Sequence, residues 1–199
     1  MTTKKTSLPR GRPRRFNPED AIATAQSLFH ARGYDAVSVS DVTDVLGINP
    51  PSFYAAFGNK AGLYARALDR YAVTNAIPFQ QLLTHDKPVA ECLASVLEEA
   101  ARRYVADPVT AGCLVLEGAR CDDMEARQAA GAFQTAAEDM LRDFIAERYP
   151  DDAERLTDFV STTMVGLSTK ARQGHNLDRV LSTARLASQA IAASLSDYK

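Results

Sequence analysis

The sequence predicts an all-α protein, and three observations over its 199 residues support that fold class. Apolar residues recur at steps of three and four along most of the chain, which is the period of a helix with one buried face. Prolines, glycines and polar cap residues divide the chain into segments of helical length. No run alternates between apolar and polar residues over a useful length, as a half-buried strand would.

The composition is that of an ordinary globular protein with enough apolar content to form a core. Hydrophobic residues make up 46% and charged residues 24% of the chain, which excludes disordered and collagen-like proteins. No stretch reaches the roughly 18 to 20 apolar residues of a membrane span, and no apolar stretch follows the basic N-terminus as in a signal peptide. We therefore expect a cytoplasmic protein without a membrane partner.

Few residues point to catalysis or to metal binding. The cysteines, Cys92, Cys113 and Cys121, are odd in number and lack metal-type spacing, which favours a reducing compartment. The three histidines are scattered along the chain, and no phosphate loop, catalytic triad or paired-carboxylate motif stands out. We therefore expect no metal, no cofactor and no enzymatic activity.

Charge is distributed unevenly along the chain. Residues 1–70 carry ten Lys and Arg against six Asp and Glu, whereas residues 71–199 carry thirteen against nineteen. Six of the ten basic residues lie within residues 1–15, among prolines and glycines, and they include Arg12, Arg14 and Arg15. This segment is predicted to be a flexible basic arm that contacts a polyanion.

Capping signals predict the first two helices. Asn17 precedes Pro18, which is the pattern of an N-cap followed by a proline at the first helical position. Ser38 and Asp41 have the spacing of a capping box at the start of a short second helix. Its predicted buried face consists of Val39, Val42, Val45 and Leu46.

A third short helix and a longer fourth one are predicted next. Asn49 can cap a helix whose first turn contains Pro50 and Pro51, because the first amides of a helix have no intrahelical partner. Asn59 and Lys60 begin the fourth helix, which continues toward a break at residues 77 and 78. Phe53 and Phe57 are predicted to be core residues.

The succession of these helices is typical of a helix-turn-helix DNA reader. In such a reader, the helix after the turn presents its N-terminal residues to base edges in the major groove of double-stranded DNA. Asn49, Ser52 and Tyr54 are therefore candidates for contacts to bases or phosphates, and Pro50 and Pro51 for contacts to thymine methyl groups. Ser38, Ser40 and Lys60 lie at helix starts and are candidates for phosphate contacts.

These motifs together resemble the N-terminal domain of the TetR family of transcriptional regulators. The resemblance covers residues 16–71, and it includes Gly33-Tyr34, Gly47-Ile48-Asn49 and the steps of three from Tyr54 through Phe57 to Lys60. It implies phosphate contacts for Tyr54 and Lys60, and phosphate or base contacts for Ser38, Ser40 and Ser52. Pro50 and Pro51 depart from the family pattern, which usually has a polar residue and a glycine there.

Further helices are predicted at residues 88–106, 111–120, 124–149, 151–173 and 176–196. The break near residue 77 divides the chain into a basic arm at 1–15, a helix-turn-helix domain at 16–77 and a helical domain at 78–199. The resemblance implies that the last domain binds a ligand and forms a homodimer. It implies a repressor that a small-molecule inducer releases from a palindromic operator. Residues 111–114 and 168–174 resemble, more weakly, a subgroup with copper- and electrophile-responsive repressors.

Two features of the C-terminal helices suggest how such a protein would assemble and switch. The helices at 151–173 and 176–196 carry apolar and small residues, so they are predicted to pair with a second copy in a four-helix bundle. The helix from Asn59 to Tyr71 is predicted to be the sole route of coupling between the domains. Its candidate coupling residues are Tyr64, Leu68 and Tyr71.

An alternative is a DNA-binding regulator gated by cysteine chemistry or by a partner protein. If a single helix carried Cys113 and Cys121, they would lie about 12 Å apart along its axis, which is too far for a disulfide. A bond between Cys92 and Cys113 on neighbouring helices stays open. A buried cysteine with a packing role is the other interpretation of each of these residues.

Overall fold

The computed structural model describes residues 17–196, which are helical without any strand in that range. The first four helices are α1 (Pro18–Arg32), α2 (Val39–Leu46), α3 (Pro50–Phe57) and α4 (Lys60–Thr74). They are followed by α5 (Phe79–Leu82), α6 (Val89–Tyr104), α7 (Leu114–Gly118), α8 (Met124–Ala146), α9 (Ala153–Arg172) and α10 (Leu177–Ser196). A short 3₁₀ turn at Pro150–Asp152 precedes α9. The all-α prediction is confirmed, while the predicted arm at 1–15, with Arg12, Arg14 and Arg15, lies outside the described residues.

The starts of the first four helices follow the predicted capping pattern. Each cap side chain accepts a backbone N–H from two or three residues further on, and the four caps are Asn17, Ser38, Asn49 and Asn59. The capping box is complete, because the carboxylate of Asp41 also accepts the backbone N–H of Ser38 at 2.8 Å. These short helices are therefore fixed by residues close to them in sequence.

The core of the first four helices is aromatic. Phe53 and Phe57 are buried as predicted, and Phe29 packs edge-on against Tyr64 with ring centroids 5.1 Å apart. Val45 is 58% exposed, so its predicted burial is wrong. The buried face of α2 contains Val42 and Thr43 instead, and a residue two positions beyond Thr43 points to the opposite side of the helix.

The remaining helices form a second packed group. Helix α10 packs mainly on α6, and α9 packs on both α6 and α8. Helix α8 ends at Ala146, three residues before the predicted end. Tyr149 precedes Pro150, and a residue before proline is disfavoured in the helical region. The four-residue helix α5 was not predicted, because it is short and has no side-chain cap.

Only the middle of the predicted helix at 111–120 is helical, because α7 covers Leu114–Gly118. Gly112 has a positive φ of 86° and Cys113 is extended, so the chain turns before the helix begins. A Cβ at Gly112 would lie 2.7 Å from Cγ of Arg172. The turn therefore lets the backbone approach α9 closely, and that requirement comes from a residue far away in sequence.

The two groups of helices share one continuous core, and α4 lies in its middle. Helix α4 packs against α1 on one side and against α7 and α8 on the other. Its side chains Leu63, Tyr64, Ala67 and Leu68 are fully buried. Helix α4 is therefore part of both groups. Among the described residues, no helix combines the length and apolar content needed to cross a membrane.

Candidate nucleic-acid interface and internal cavity

The candidate contact residues on α2 and α3 lie on one accessible surface. This α2–α3 surface consists of Ser38, Ser40, Asn49, Pro50, Pro51, Ser52 and Tyr54, which are all exposed. Tyr54 is 51% exposed, although its ring still packs edge-on against the buried Phe53 at 5.3 Å. Its hydroxyl can therefore meet a ligand while its ring is held in place.

The side chain of Asn49 caps α3 with its oxygen and leaves its amide group available as a hydrogen-bond donor. Its Oδ1 accepts the backbone N–H of Ser52 at 2.9 Å and so caps α3. Its Nδ2 has no hydrogen-bond partner within the described part of the chain. Pro50 and Pro51 occupy the first two positions of the helix, where no intrahelical carbonyl would have used their amides. The start of α3 thus presents an amide donor beside two apolar rings.

The hydroxyl of Ser38 is mainly engaged in hydrogen bonds that cap α2. Its hydroxyl donates to Oδ2 of Asp41 and accepts the backbone N–H of Asp41. Asp41 also accepts from Arg32 at 3.0 Å. The Ser38 hydroxyl and backbone N–H, together with Arg32, hold the pKa of Asp41 well below its usual range. Asp41 therefore stays ionised, and the capping box keeps its charge at neutral pH.

Lys60 has a structural role that sequence reasoning missed. Its Nζ donates to the carbonyl oxygens of Tyr34 and Val37 at 3.1 and 3.0 Å. The same ammonium lies 3.9 Å from the centroid of the Tyr34 ring. Lys60 thus ties the start of α4 to the loop between α1 and α2, and one of its three protons is left for a phosphate. Its DNA contact stays a prediction.

The loop between α1 and α2 also contacts the N-terminus of α8. The hydroxyl of Tyr34 donates to Oδ2 of Asp123 at 2.9 Å, and Asp35 accepts the backbone N–H of Asp122. Asn59 donates to Glu125 at 3.1 Å. We call this set of bonds the loop–α8 contact. The prediction that α4 alone connects the two groups of helices is therefore wrong.

The charges of the loop–α8 contact are fixed by its hydrogen bonds. Burial and the bond to Asp123 raise the pKa of Tyr34 above its ordinary value, so the tyrosine is a permanent donor. The backbone N–H of Ala126 and the Tyr34 hydroxyl lower the pKa of Asp123. The pair therefore keeps one donor and one ionised acceptor across the physiological pH range.

A further connection joins the end of α1 to α9. Arg172 donates to the carbonyl oxygens of His30 and Ala111 at 3.0 and 3.1 Å, and it lies 3.6 Å from Glu117. Nε2 of the buried His30 lies 3.2 Å from the carbonyl oxygen of Gly112. Burial lowers the pKa of His30, which favours the neutral ring. The guanidinium of Arg172 therefore links α9 to the end of α1, to the turn before α7 and to α7 itself.

A cavity of about 430 Å³ lies among α4 to α9. Its walls are mainly apolar or aromatic, and they include Ile77, Phe79, Phe133, Leu141 and Met164. Tyr71 and Tyr104 also line it and are themselves buried. Pockets of this size and character bind small organic molecules.

One polar cluster interrupts the apolar cavity wall. Glu138 on α8 accepts the hydroxyl of Ser161 on α9 and, at 3.0 Å, the side-chain amide of Gln134. All three side chains line the cavity. No sequence motif marks this cluster, because its members come from two helices and have no distinctive spacing.

The three cysteines are free and buried. Cys113 precedes α7 and Cys121 follows it, so the assumption that one helix carries both is wrong. Cys113 lines the cavity, where burial raises its pKa despite hydrogen bonds with Tyr71 and Tyr104. Burial also raises the pKa of Cys121. Both thiols are therefore mainly protonated at neutral pH, and a thiol is a much weaker nucleophile than a thiolate. No metal-binding group of three His, Cys, Asp or Glu was found within residues 17–196.

Comparisons with known proteins agree with this architecture. Residues 21–67 match the family model described as bacterial regulatory proteins, tetR family. The chain is 55% identical to the HTH-type transcriptional repressor BdcR of Escherichia coli K12, over 96% of this chain and 97% of the relative. It is 28% identical to the HTH-type transcriptional repressor ComR of the same organism, over 92% of both chains.

A solved structure shows the same fold on DNA. A cysteine mutant of the TetR family transcriptional regulator CifR, complexed with 26-bp double-strand operator DNA, matches with a TM-score of 0.80 and 31% identity. The match covers 90% of this chain and 99% of that chain. The helix-turn-helix resemblance seen in the sequence is thereby confirmed, and the chain belongs to the tetR family of bacterial regulatory proteins.

Proposed function

We propose that the protein is a transcriptional repressor that binds a palindromic DNA operator as a homodimer and releases it when a small molecule fills the cavity. The observation that carries the DNA-binding part is the α2–α3 surface, where polar and slim side chains surround two capped helix starts. The relatives named as repressors and the CifR complex with operator DNA support the same function.

The first turn of α3 is the part that reads the bases in this proposal. Asn49 offers its free amide to an acceptor on a base edge, and Pro50 and Pro51 offer apolar contact to thymine methyl groups. Tyr54, Ser40 and Ser52 bind phosphates beside the groove. Ser38 and Lys60 add phosphate contacts through the hydrogen-bonding positions that their internal bonds do not use. The basic arm adds phosphate or minor-groove contacts through Arg12, Arg14 and Arg15.

The homodimer is assigned to the outer faces of α9 and α10. Most of the apolar residues expected to meet a second copy pack within the protomer instead, as Leu156, Val160, Leu167, Val180, Ala184 and Ile191 do. The faces left uncovered carry Phe159, 41% exposed, and Leu186, 68% exposed, with Gly166 and Ala190 also exposed. Small residues beside large apolar ones allow two helix pairs to approach closely, and a twofold interface fits a palindromic operator.

Release of DNA follows from the position of α4 between the cavity and the α2–α3 surface. Tyr71 near the end of α4 lines the cavity, while Lys60 at its start holds the loop before α2. The hydroxyl of Tyr64 bonds the carbonyl oxygen of Leu114 and so joins α4 to α7. A ligand that prefers another position of α4 would change the spacing of the two recognition helices, which must match grooves about 34 Å apart.

Selection of duplexes from a random pool by the purified protein tests the DNA-binding proposal. We expect enrichment of a palindromic site that is bound by two protomers and weakened by salt. The variant Tyr54→Phe should bind this site less tightly than the unmodified protein while its melting temperature stays unchanged, because the exposed hydroxyl has no hydrogen-bond partner among residues 17–196. Failure to enrich any duplex at low salt would contradict the proposal.

A second candidate is a repressor gated by an electrophile that alkylates Cys113. The position of this thiol in the cavity wall favours it, whereas the raised pKa of the thiol works against fast reaction. Dose-dependent release of the operator by an electrophile, lost in Cys113→Ser and retained in Cys92→Ser, would support this mechanism. Release that is unchanged in Cys113→Ser would exclude it.

A further inference from the structure

We infer that the effector of this protein is a small apolar amine whose ammonium group is bound by Glu138. The inference rests on the proposed function, since it names the chemistry of the molecule that fills the cavity. It starts from the charge of the cavity wall. Glu138 is the single charged side chain among the described residues that line the cavity, and the other polar members are neutral.

Glu138 is held in a fixed position by neighbours on two helices. Ser161 and Gln134 both donate to its Oε1, at 2.5 Å and 3.0 Å respectively. Within the described residues, Oε2 has no such donor. An ionised carboxylate only accepts hydrogen bonds, so any group that binds to Oε2 must be a donor.

The negative charge of Glu138 is not balanced by a basic residue of the described chain. The neighbouring Arg142 forms its ion pairs with Asp139 and Asp143 instead. A carboxylate that faces an apolar cavity would repel an anionic ligand, and a purely apolar ligand would offer Oε2 no donor. An ammonium group supplies both the missing charge and a charge-assisted hydrogen bond.

The rest of the cavity sets the size and shape of the molecule. A volume of about 430 Å³ lies in the range of pockets that bind small organic molecules. Phe79, Phe133 and Tyr104 provide aromatic surface for an apolar or aromatic body. The structure therefore favours a compact molecule with one apolar part and one amine.

Three probes with one skeleton test the inference: phenylbutylamine, phenylbutanol and phenylbutyrate. Calorimetric titration of the full-length protein should show the amine binding at least about tenfold tighter than the alcohol, with the carboxylate weakest. In Glu138→Gln the preference for the amine over the alcohol should vanish. Asp143→Asn removes the same charge from an exposed position of the same helix, outside the cavity lining, and should leave the preference intact.

The outcomes separate this inference from the proposed function. Equal or tighter binding of the carboxylate, absence of amine binding at millimolar concentration, or an amine preference that survives Glu138→Gln would overturn the inference. If Glu138→Gln fails to fold, Glu138→Asp replaces it, and its retracted carboxylate should reduce the amine preference without removing it. An unchanged preference in Glu138→Asp would then overturn the inference. Operator release is measured separately, so amine binding without release would contradict the induction mechanism and leave the assignment of Glu138 standing.

Discussion

On the α2–α3 surface, two eight-residue helices are fixed by caps from their own neighbourhood, whereas the cavity is lined by residues from six helices, α4 to α9. Asn49 and Tyr54 point into solvent, while Tyr71 and Tyr104 at the cavity are buried in the core. Tyr54 therefore contributes little to folding through its hydroxyl, whereas Asn49 also caps α3. Residues around the cavity contribute to ligand binding and to folding in our proposal, so substitutions there are expected to change ligand response and stability together.

Deletion of residues 1–15 should produce the largest effect and should act on DNA binding alone. The segment carries six basic residues, and each phosphate contact contributes about 0.9 to the slope of log affinity against log salt. We expect weaker operator binding and a slope smaller by up to about 5 per protomer. Operator binding titrated at several salt concentrations measures the slope, and an unchanged slope would remove the arm from the interface.

Leu68→Ala should have the largest effect on stability, because Leu68 is fully buried between the two groups of helices. A buried Leu→Ala substitution lowers the free energy of unfolding by about 2 to 5 kcal/mol. Val73 on the same helix is 87% exposed, so Val73→Ala serves as the matched control with a change within about 0.5 kcal/mol.

Leu68→Ala also tests whether α4 transmits the effector signal to the DNA-binding helices. If α4 transmits the effector signal, Leu68→Ala should keep operator affinity within about tenfold and weaken release by the effector, since coupling energies are typically 1 to 3 kcal/mol. Denaturant unfolding and operator release measured on one preparation separate the two effects. A lowered stability with an unchanged response would assign Leu68 to packing alone.

Asn49→Asp should weaken operator binding without destabilising α3. Aspartate caps a helix as well as asparagine does, but it replaces the free amide donor by a negative charge. We expect operator binding to weaken by about 1 to 3 kcal/mol with the melting temperature unchanged. Asn49→Ala should also lower stability, by about 1 kcal/mol. Equal stability losses in both variants would show that the cap oxygen is not what holds α3.

Tyr34→Phe should have the smallest effect, since it removes one hydrogen bond of the loop–α8 contact. A typical bond of this kind contributes about 0.5 to 1.5 kcal/mol. The pKa of Asp123 is lowered in the folded protein, so the stabilisation is present above its ordinary value near 3.8 and is lost as the pH falls below it. Acid unfolding monitored by circular dichroism should therefore depend less steeply on pH in Tyr34→Phe, and an identical pH profile would contradict this role.

The structural features that could be predicted from the sequence are those that depend on interactions between residues close together in the chain. Asn17, Ser38, Asn49 and Asn59 were recognisable as caps because each bonds an amide two or three residues away. The helix-turn-helix motif is made of such local signals, which explains why the starts of its helices were predicted correctly.

The errors arose where distant residues decide the local structure. Gly112 turns because Arg172 and Ser168 approach it from α9, and nothing near Gly112 in the sequence indicates this. Lys60 was predicted only to contact phosphates. Its bonds to the carbonyls of Tyr34 and Val37 could not be predicted, because they form only once the loop between α1 and α2 has folded. Glu138 could not be recognised as a cavity residue, because its surroundings exist only after α8 and α9 have packed.

The two prolines at the start of α3 have a consequence for how fast and how favourably DNA is bound. Each ring fixes its own φ near the helical value, so the first turn of α3 has few alternative conformations to lose. Most of the ordering of this turn is therefore complete in the free protein, and little conformational entropy is left to be lost on contact with the bases. The first turn of α3 meets each duplex already in its binding conformation, so encounters along DNA need no folding step at this helix.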